Sequence, residues 1–188
     1  MIDRVKGLNL LNLHIKNKNL IRHGLATEAA MKGLASHFGE NEDKWGFVGL
    51  LHDGDWEETT NDPSQHTKKM VVWLKNAGET DQEILDAILS HNFAHTGENP
   101  PKNKLEWAIY TCAELTGFIV AVALVTPDKK LESVSVDSVM KKFPSKSFAA
   151  AVHRDQIKMC EEKLGIPLEK FVEIVLSSMQ KISIDLGL

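Results

Sequence analysis

Apolar residues recur at helical spacing along most of the chain, whereas the strict alternation that is typical of strands is almost absent. This pattern predicts an all-α fold. Several of the helices begin at residues that favour a helix N-terminus, such as Asn19, Pro63 and Asp81. Helices are predicted over residues 19–38, 41–54, 63–78, 81–91, 103–126, 136–142, 147–164 and 168–184.

The segment 103–126 is strongly apolar, and its β-branched residues Ile119, Val120 and Val122 would also suit a strand. A strand needs a partner, and the pattern offers no second convincing one. A buried helix is therefore the preferred interpretation, since tertiary burial can outweigh weak helix propensity. In the segment 41–54, Gly46 and Gly49 are expected to permit close packing between helices.

The chain has 188 residues, of which 43% are hydrophobic and 26% charged, an ordinary composition for a globular protein. No linker, internal repeat or low-complexity tract divides it. We therefore expect one helical domain over residues 1–188. The apolar C-terminal helix, with Phe171 and Ile174, can serve either the core or a dimer contact, so a homo-oligomer stays open.

The formal net charge of -4 is too small to attract a polyanion, so nucleic acid is disfavoured as a partner. Cys112 and Cys160 form no metal-knuckle or disulfide pattern, which fits a reducing compartment. No signal-peptide pattern is seen, and the longest apolar run, 118–125, is shorter than the roughly 18 residues that span a bilayer. We expect a cytoplasmic protein without a membrane partner.

Four histidines lie on, or at the end of, predicted helix faces that are otherwise apolar: His23, His52, His66 and His91. Asp53 directly follows His52. A buried imidazole must satisfy both ring nitrogens, and a metal ion satisfies one of them. Any single one of these residues is more often a core histidine bonded to backbone, but four together favour a metal site. His14, His37, His95 and His153 resemble surface residues and receive no role.

An ordered set of motifs covers nearly the whole chain: Arg22-His23, Leu50-Leu51-His52-Asp53, His66, Ser90-His91-Asn92, Glu114-Leu115-Thr116-Gly117, and Phe148-Ala149-Ala150 with Arg154 and Ile157. This order resembles that of small bacterial HD-domain proteins, which are described as predicted metal-dependent phosphohydrolases. The resemblance implies a helical bundle that holds metal between its helices. It also implies that His23, His52 and Asp53 bind a first ion, and that His66 and His91 bind a second ion that Asp53 bridges.

The chain departs from the family pattern at Ala113, where the resemblance implies an aspartate ligand just before the Glu-Leu-Thr-Gly stretch. Alanine offers no donor atom. Glu114 lies about 100° further round the helix and is a geometrically poor substitute. Water or substrate would therefore complete the coordination of the first ion, or the site would bind this ion weakly or not at all.

A divalent ion lowers the pKa of a bound water and neutralises phosphoryl oxygens, so the leading hypothesis is hydrolysis of a phosphate ester of a small molecule or nucleotide. Asp55 and Glu57 are the nearest acidic residues that could orient the water or assist the leaving group. Arg22 and Arg154 could pair with phosphate oxygens. The alternative is that Asp55 and Glu57 are solvated loop acids and that Arg22 and Arg154 are ordinary surface cations.

Two other functions remain open. The first is a non-catalytic ligand-binding protein of HD type that lost activity through Ala113. The second is a di-iron oxygenase, because some proteins that resemble HD domains use a histidine-rich two-metal site for oxygen chemistry. The ion itself is open among iron, manganese, zinc, magnesium, nickel and cobalt. No glycine-rich phosphate loop is present, so a nucleotide-binding α/β enzyme is not supported.

Overall fold

A computed structural model describes residues 2–188 and contains helices and turns, with no strand in that range. The prediction of an all-α fold is confirmed. The α-helices are α1 (Arg4–His14), α2 (Lys18–Phe38), α3 (Glu42–Leu51), α4 (Trp56–Thr59), α5 (Lys68–Asn76), α6 (Gln82–His91), α7 (Phe93–Thr96), α8 (Lys104–Leu124), α9 (Val136–Lys142), α10 (Arg154–Met159), α11 (Leu168–Gln180) and α12 (Ser183–Leu186). Short 3₁₀ turns occupy Pro63–Gln65 and Leu131–Ser133, and a π-helical turn occupies Cys160–Leu164.

The helix α8 lies at the centre of the fold and packs against α2, α6, α10 and α11. Most of its side chains are buried, including those of Phe118 and Ile119. The burial explains why β-branched residues are tolerated in this helix. Among residues 2–188, α8 alone is long and apolar enough to cross a membrane, but 67% of its apolar stretch is buried inside the protein, as in an ordinary core helix.

The buried apolar side chains of all the long helices join in one hydrophobic core. The C-terminal helix α11 contributes Phe171, Val175 and Met179 to it, each with no exposed surface. The apolar face of this helix therefore serves the core.

Three predicted helices are interrupted in the structure. The segment 63–78 breaks at Thr67, which has a positive φ of 68°, so that His66 precedes α5 and lies outside it. The segment 147–164 is a set of turns up to Val152 and becomes helical only at Arg154. The segment 168–184 ends at Gln180, and the short α12 follows.

The helix α1 was not predicted, because its apolar residues do not form a clear stripe. Its N-cap is Asp3, whose side chain accepts a hydrogen bond from the backbone N–H of Lys6. Two contacts fix it to the bundle. Gly7 lies against the ring of Phe47, and Arg4 forms a two-fold ion pair with Glu28 of α2, with distances of 2.6 and 2.8 Å.

Candidate metal centre

Five side chains from four parts of the chain meet in what is called here the His–Asp cluster, defined as His23, His52, Asp53, His66 and His91. His23 lies in the first half of α2, and His91 is the last residue of α6. His52 and Asp53 follow the end of α3, and His66 lies in the turn before α5. All five predicted metal ligands are therefore brought together.

Close packing of α2 against α3 positions two of these histidines. A Cβ atom at Gly24 would lie 2.7 Å from the carbonyl oxygen of Leu50, and one at Gly49 would lie 2.6 Å from that of Thr27. Any larger residue would push the two backbones apart. The two glycines therefore let His23 and His52 approach until their Nε2 atoms are 3.2 Å apart.

The Asp53 carboxylate lies between two pairs of histidines. Its Oδ2 atom is 3.4 Å from His23 Nε2 and 3.5 Å from His52 Nε2. Its Oδ1 atom is 3.2 Å from both His66 Nε2 and His91 Nε2. The cluster is thus two groups of three donor atoms that share one carboxylate.

This donor set fits divalent metal ions. Imidazole nitrogens and carboxylate oxygens are the common ligands of zinc, iron, manganese, nickel and cobalt, and the atoms of each group lie within 4.8 Å of one another. In a tetrahedral site with bonds of about 2.1 Å, ligand atoms lie about 3.4 Å apart. The separations of 3.2–3.5 Å between Asp53 and the four Nε2 atoms match that value.

The outer nitrogens of two histidines are held by fixed acceptors. His52 Nδ1 lies 2.7 Å from the carbonyl oxygen of Gly49, and His66 Nδ1 lies 2.7 Å from Asp55 Oδ1. Because these oxygens accept, each Nδ1 carries a proton, so removal of the proton from Nε2 on metal binding would give the Nδ1–H tautomer. That tautomer is the one required for ligation through Nε2.

The other two histidines differ from each other. His23 Nδ1 lies 3.4 Å from the hydroxyl of Thr116, which itself donates to the carbonyl oxygen of Ala113. His91 Nδ1 is buried without a hydrogen-bond partner among residues 2–188, as is the Oδ1 atom of the neighbouring Asn92. Asn92 instead uses its amide nitrogen to donate to the carbonyl oxygens of Pro63 and His66.

The pKa values within the cluster follow from burial and from the shared carboxylate. Burial lowers the pKa of His52 to about 3, with the neighbouring histidines acting in the same direction. Burial also lowers the pKa of His23. For His66, burial acts to lower the pKa, but the carboxylates of Asp53 and Asp55 outweigh it and raise the pKa to about 9. For Asp53, burial is outweighed by the histidines, which hold its pKa well below the usual range.

Asp55 and Glu57, the predicted catalytic acids, lie away from the open side of the cluster. Asp55 has no exposed surface, and its oxygens accept from His66 and from the backbone N–H groups of Thr67 and Met70. Its geometry is that of a residue that orients His66. Glu57 accepts from the backbone N–H groups of Lys16 and Asn17 and so holds the loop between α1 and α2.

Arg22 and Arg154, the predicted phosphate-binding residues, have different surroundings. Arg22 is exposed and lines a cleft beside His23. Arg154 lies over the ring of Phe118, and its guanidinium donates to five backbone carbonyl groups of the preceding loop. These are the carbonyl groups of Phe143, Ser145, Phe148, Ala149 and Val152. Arg154 therefore shapes that loop and has little donor capacity left for a substrate.

The open side of the cluster is a pocket of about 170 Å³, called here the metal pocket, which His23, Asp53 and His91 line together with Ala113, Glu114, Gly117 and Val152. Ala113 faces the cluster, as the resemblance implied for the position of the missing aspartate. It contributes no donor atom. Glu114 lines the same pocket, and its Oε2 atom accepts from the backbone N–H of His153.

Two residues at the site, Gly24 and Thr116, were given no role from the sequence, and a third, Asp55, was given a different one. No sequence pattern pointed to Gly24, although Gly49 on the facing helix was expected to permit close packing. Thr116 was noted only as part of a motif. Asp55 was predicted to orient the water or assist the leaving group, but a carboxylate that follows a ligand by two residues can equally turn back to hold another ligand. The contact between Asp55 and His66 depends on the break at Thr67, which the helical pattern did not predict.

Comparisons with protein-family models, with curated proteins and with solved structures found no match for this chain. The resemblance to HD-domain proteins therefore rests on the order of the motifs alone and stays a prediction. The all-α fold and the convergence of the His–Asp cluster rest on the structure.

Proposed function

We propose that this protein is a metal-dependent hydrolase that cleaves a phosphate ester of a small molecule. The observation that carries the proposal is the position of Asp53, whose two oxygens each face a pair of histidine Nε2 atoms at 3.2–3.5 Å. A pair of divalent ions supplies charge that neutralises phosphoryl oxygens and makes water more acidic near neutral pH.

The residues of the site would have different roles around such ions. Asp53 and the four histidines would hold them, while Asp55 and the Gly49 carbonyl keep His66 and His52 in the ligating orientation. The outer side of the first group faces the metal pocket through Ala113. A site with three protein donors and one open position is typical of catalytic metal centres, whereas structural centres are closed.

Glu114 is the carboxylate best placed to handle a proton in this reaction. Together with Asp53 it is one of two acidic residues that line the metal pocket, and Asp53 is engaged by the histidines. In hydrolysis, the oxygen of water forms a bond to phosphorus as the ester P–O bond breaks, and the water proton ends on the leaving alcohol. Glu114 would accept that proton and pass it to the leaving group.

The proposal is tested by assaying untagged protein for hydrolysis of p-nitrophenyl phosphate, with manganese, cobalt, nickel, zinc, iron or magnesium added in turn. Turnover that requires one of these ions and is lost in Asp53→Ala supports the proposal. Protein that binds metal but turns over neither this ester nor nucleoside monophosphates would favour the non-catalytic alternative that Ala113 raises. Oxygen consumption by the iron-loaded protein would favour an oxygenase.

A further inference from the structure

A second and larger space adjoins the metal pocket. It is a cleft of about 380 Å³ between α2, α8 and the segment at α12, and it is called here the apolar cleft. His23 and Gly117 line both spaces. A molecule held in the apolar cleft would therefore contact His23, one residue of the His–Asp cluster.

The walls of the apolar cleft are made mostly of hydrocarbon. Val120 and Leu124 from α8 face Leu186 and Leu188 across it. Ligand sites commonly combine such walls with a small number of polar groups that fix orientation. Here the polar groups lie on one side, on the first turns of α2.

Arg22 provides the charge at that side. Its guanidinium is 3.4 Å from the amide oxygen of Asn19 and forms no ion pair with a carboxylate among residues 2–188. It also lies close over Gly187, where a Cβ atom would be 3.1 Å from Nη2. A guanidinium without a carboxylate partner, placed beside apolar walls, fits a molecule that joins an anionic group to an apolar group.

Gly117 lines both spaces at a point where it has no side chain. A Cβ atom at this position would meet no other atom within 4 Å, so the fold itself leaves room for a side chain there. Gly24 and Gly49 differ in this respect, because a Cβ atom at either one would collide with backbone. Filling the space at Gly117 is therefore a way to reduce the apolar cleft without disturbing the helices.

We propose that the apolar cleft binds the organic group of a phosphate monoester whose alcohol part is apolar, with Arg22 pairing with an anionic oxygen of the same molecule. This assignment rests on the proposed function and names its substrate class. The cleft has about the volume of a dozen water molecules, which is enough for a six-carbon chain or an aromatic ring. Hydrolysis would release an apolar alcohol and inorganic phosphate.

Binding of alkyl phosphonates tests this assignment without turnover, because their C–P bond is not an ester. Calorimetric titration with hexylphosphonate and methylphosphonate should give a Kd at least tenfold lower for the hexyl compound, since each fully buried methylene contributes about fourfold. The preference should disappear in Gly117→Leu and Val120→Asn. It should persist in Val125→Asn, the matched control, because Val125 is 57% exposed and does not line the cleft.

The Arg22→Gln variant should weaken binding of both phosphonates and leave their ratio unchanged. Equal binding of the two compounds to the wild-type protein would overturn the assignment. So would a hexyl preference that survives in Gly117→Leu protein whose helical circular dichroism is unchanged. Leucine has a higher helix propensity than glycine, so this variant is expected to fold.

Turnover measured in parallel separates this assignment from the proposed function. Faster cleavage of hexyl phosphate than of methyl phosphate supports both. Hexyl preference in binding with no metal-dependent turnover of either ester overturns the hydrolase and supports the cleft. Turnover with equal kcat/KM for the two esters supports the hydrolase and overturns the cleft assignment.

Discussion

At the residue scale, Asp53 and Asp55 show how two carboxylates two residues apart come to differ. Asp53 faces four imidazoles and is partly open to the metal pocket. Asp55 is fully buried behind His66 and accepts three hydrogen bonds. Asp53 can therefore bind metal ions, whereas Asp55 can fix the orientation of His66, which is itself a candidate ligand.

The Asp55→Asn variant is expected to bind metal about 10 to 100-fold more weakly than the wild type, as is typical when a partner of a ligating histidine is altered. The amide keeps one oxygen to accept from backbone but loses the charge that favours the ligating tautomer of His66. Metal titration by calorimetry measures the change. Asp62→Asn, in an exposed turn cap, is the control, and equal affinities in both variants would contradict the positioning role.

Ala113 offers the sharpest single-residue test of the resemblance to HD-domain proteins. Because it lines the metal pocket with His23 and Asp53, Ala113→Asp should supply a further ligand, tighten metal binding and raise the melting temperature only when metal is present. Ala113→Asn is the uncharged comparison. If the aspartate variant is less stable with and without metal and binds no more of it, Ala113 is not a vacant ligand position.

At the element scale, the pairing of α2 with α3 brings His23 to His52. Gly49→Ala is expected to destabilise the protein by about 1–3 kcal/mol, because its Cβ would collide with the backbone of Thr27. Metal affinity should fall as well, since the two helices must separate. Denaturant unfolding and metal titration report the two effects.

The control for this variant is Gly117→Ala, where the added Cβ meets nothing within 4 Å. It should be neutral or stabilising by up to about 1 kcal/mol, as expected for alanine in place of glycine inside a helix. Equal destabilisation by the two substitutions would show that close approach of α2 and α3 is not what Gly49 provides.

Helical periodicity was sufficient to predict most of the long helices, because α2, α3, α6 and α8 carry their apolar residues at regular spacing. It failed where backbone conformation depends on distant contacts. Arg154 donates to the carbonyl groups of Phe148, Ala149 and Val152 in the loop before it, and this holds residues 147–152 in turns. The position of His66 was likewise unpredictable in detail, since it depends on a positive φ at Thr67 and on Asp55.

The sequence likewise identified the residues of the candidate site, but not all of their roles. Histidines on apolar helix faces have few ways to satisfy both nitrogens, and that restriction identified four residues from separate segments that meet in the fold. The roles of Asp55, Glu57 and Arg154 depend on the direction of each side chain, which helical spacing alone does not give. The apolar cleft forms where α2, α8 and the segment at α12 meet, so no single stretch of sequence predicts it.

At the scale of the whole molecule, Arg4 and Glu28 link α1 to the bundle. Glu28 is 5% exposed, and burial raises its pKa, but hydrogen bonds from Arg4 and Lys32 outweigh burial and lower the pKa below its ordinary value. The folded protein therefore holds this proton less tightly than the unfolded chain. The stabilisation is complete above about pH 4.5 and is lost as the pH falls through the lower folded-state pKa.

Glu28→Gln should therefore lower the free energy of unfolding at pH 7, and the gap from the wild type should shrink as the pH falls below about 4.5. Denaturant unfolding over a pH series measures this gap. Glu173→Gln, an exposed carboxylate paired with Lys170, should produce little change at any pH. A gap for Glu28→Gln that is the same at low and neutral pH would contradict the ion pair as its source.

In the proposed centre, Asp53 joins four histidines around two metal ions, and the metal content of the purified protein tests this arrangement. Plasma emission on untagged protein, loaded with manganese, iron or zinc and then freed of excess metal, should show about two ions per chain. Asp53→Ala should lose most of this metal, whereas Asp155→Ala, a fully exposed aspartate, should retain it. Wild-type protein without bound metal, or Asp53→Ala protein with the wild-type content, would contradict the account.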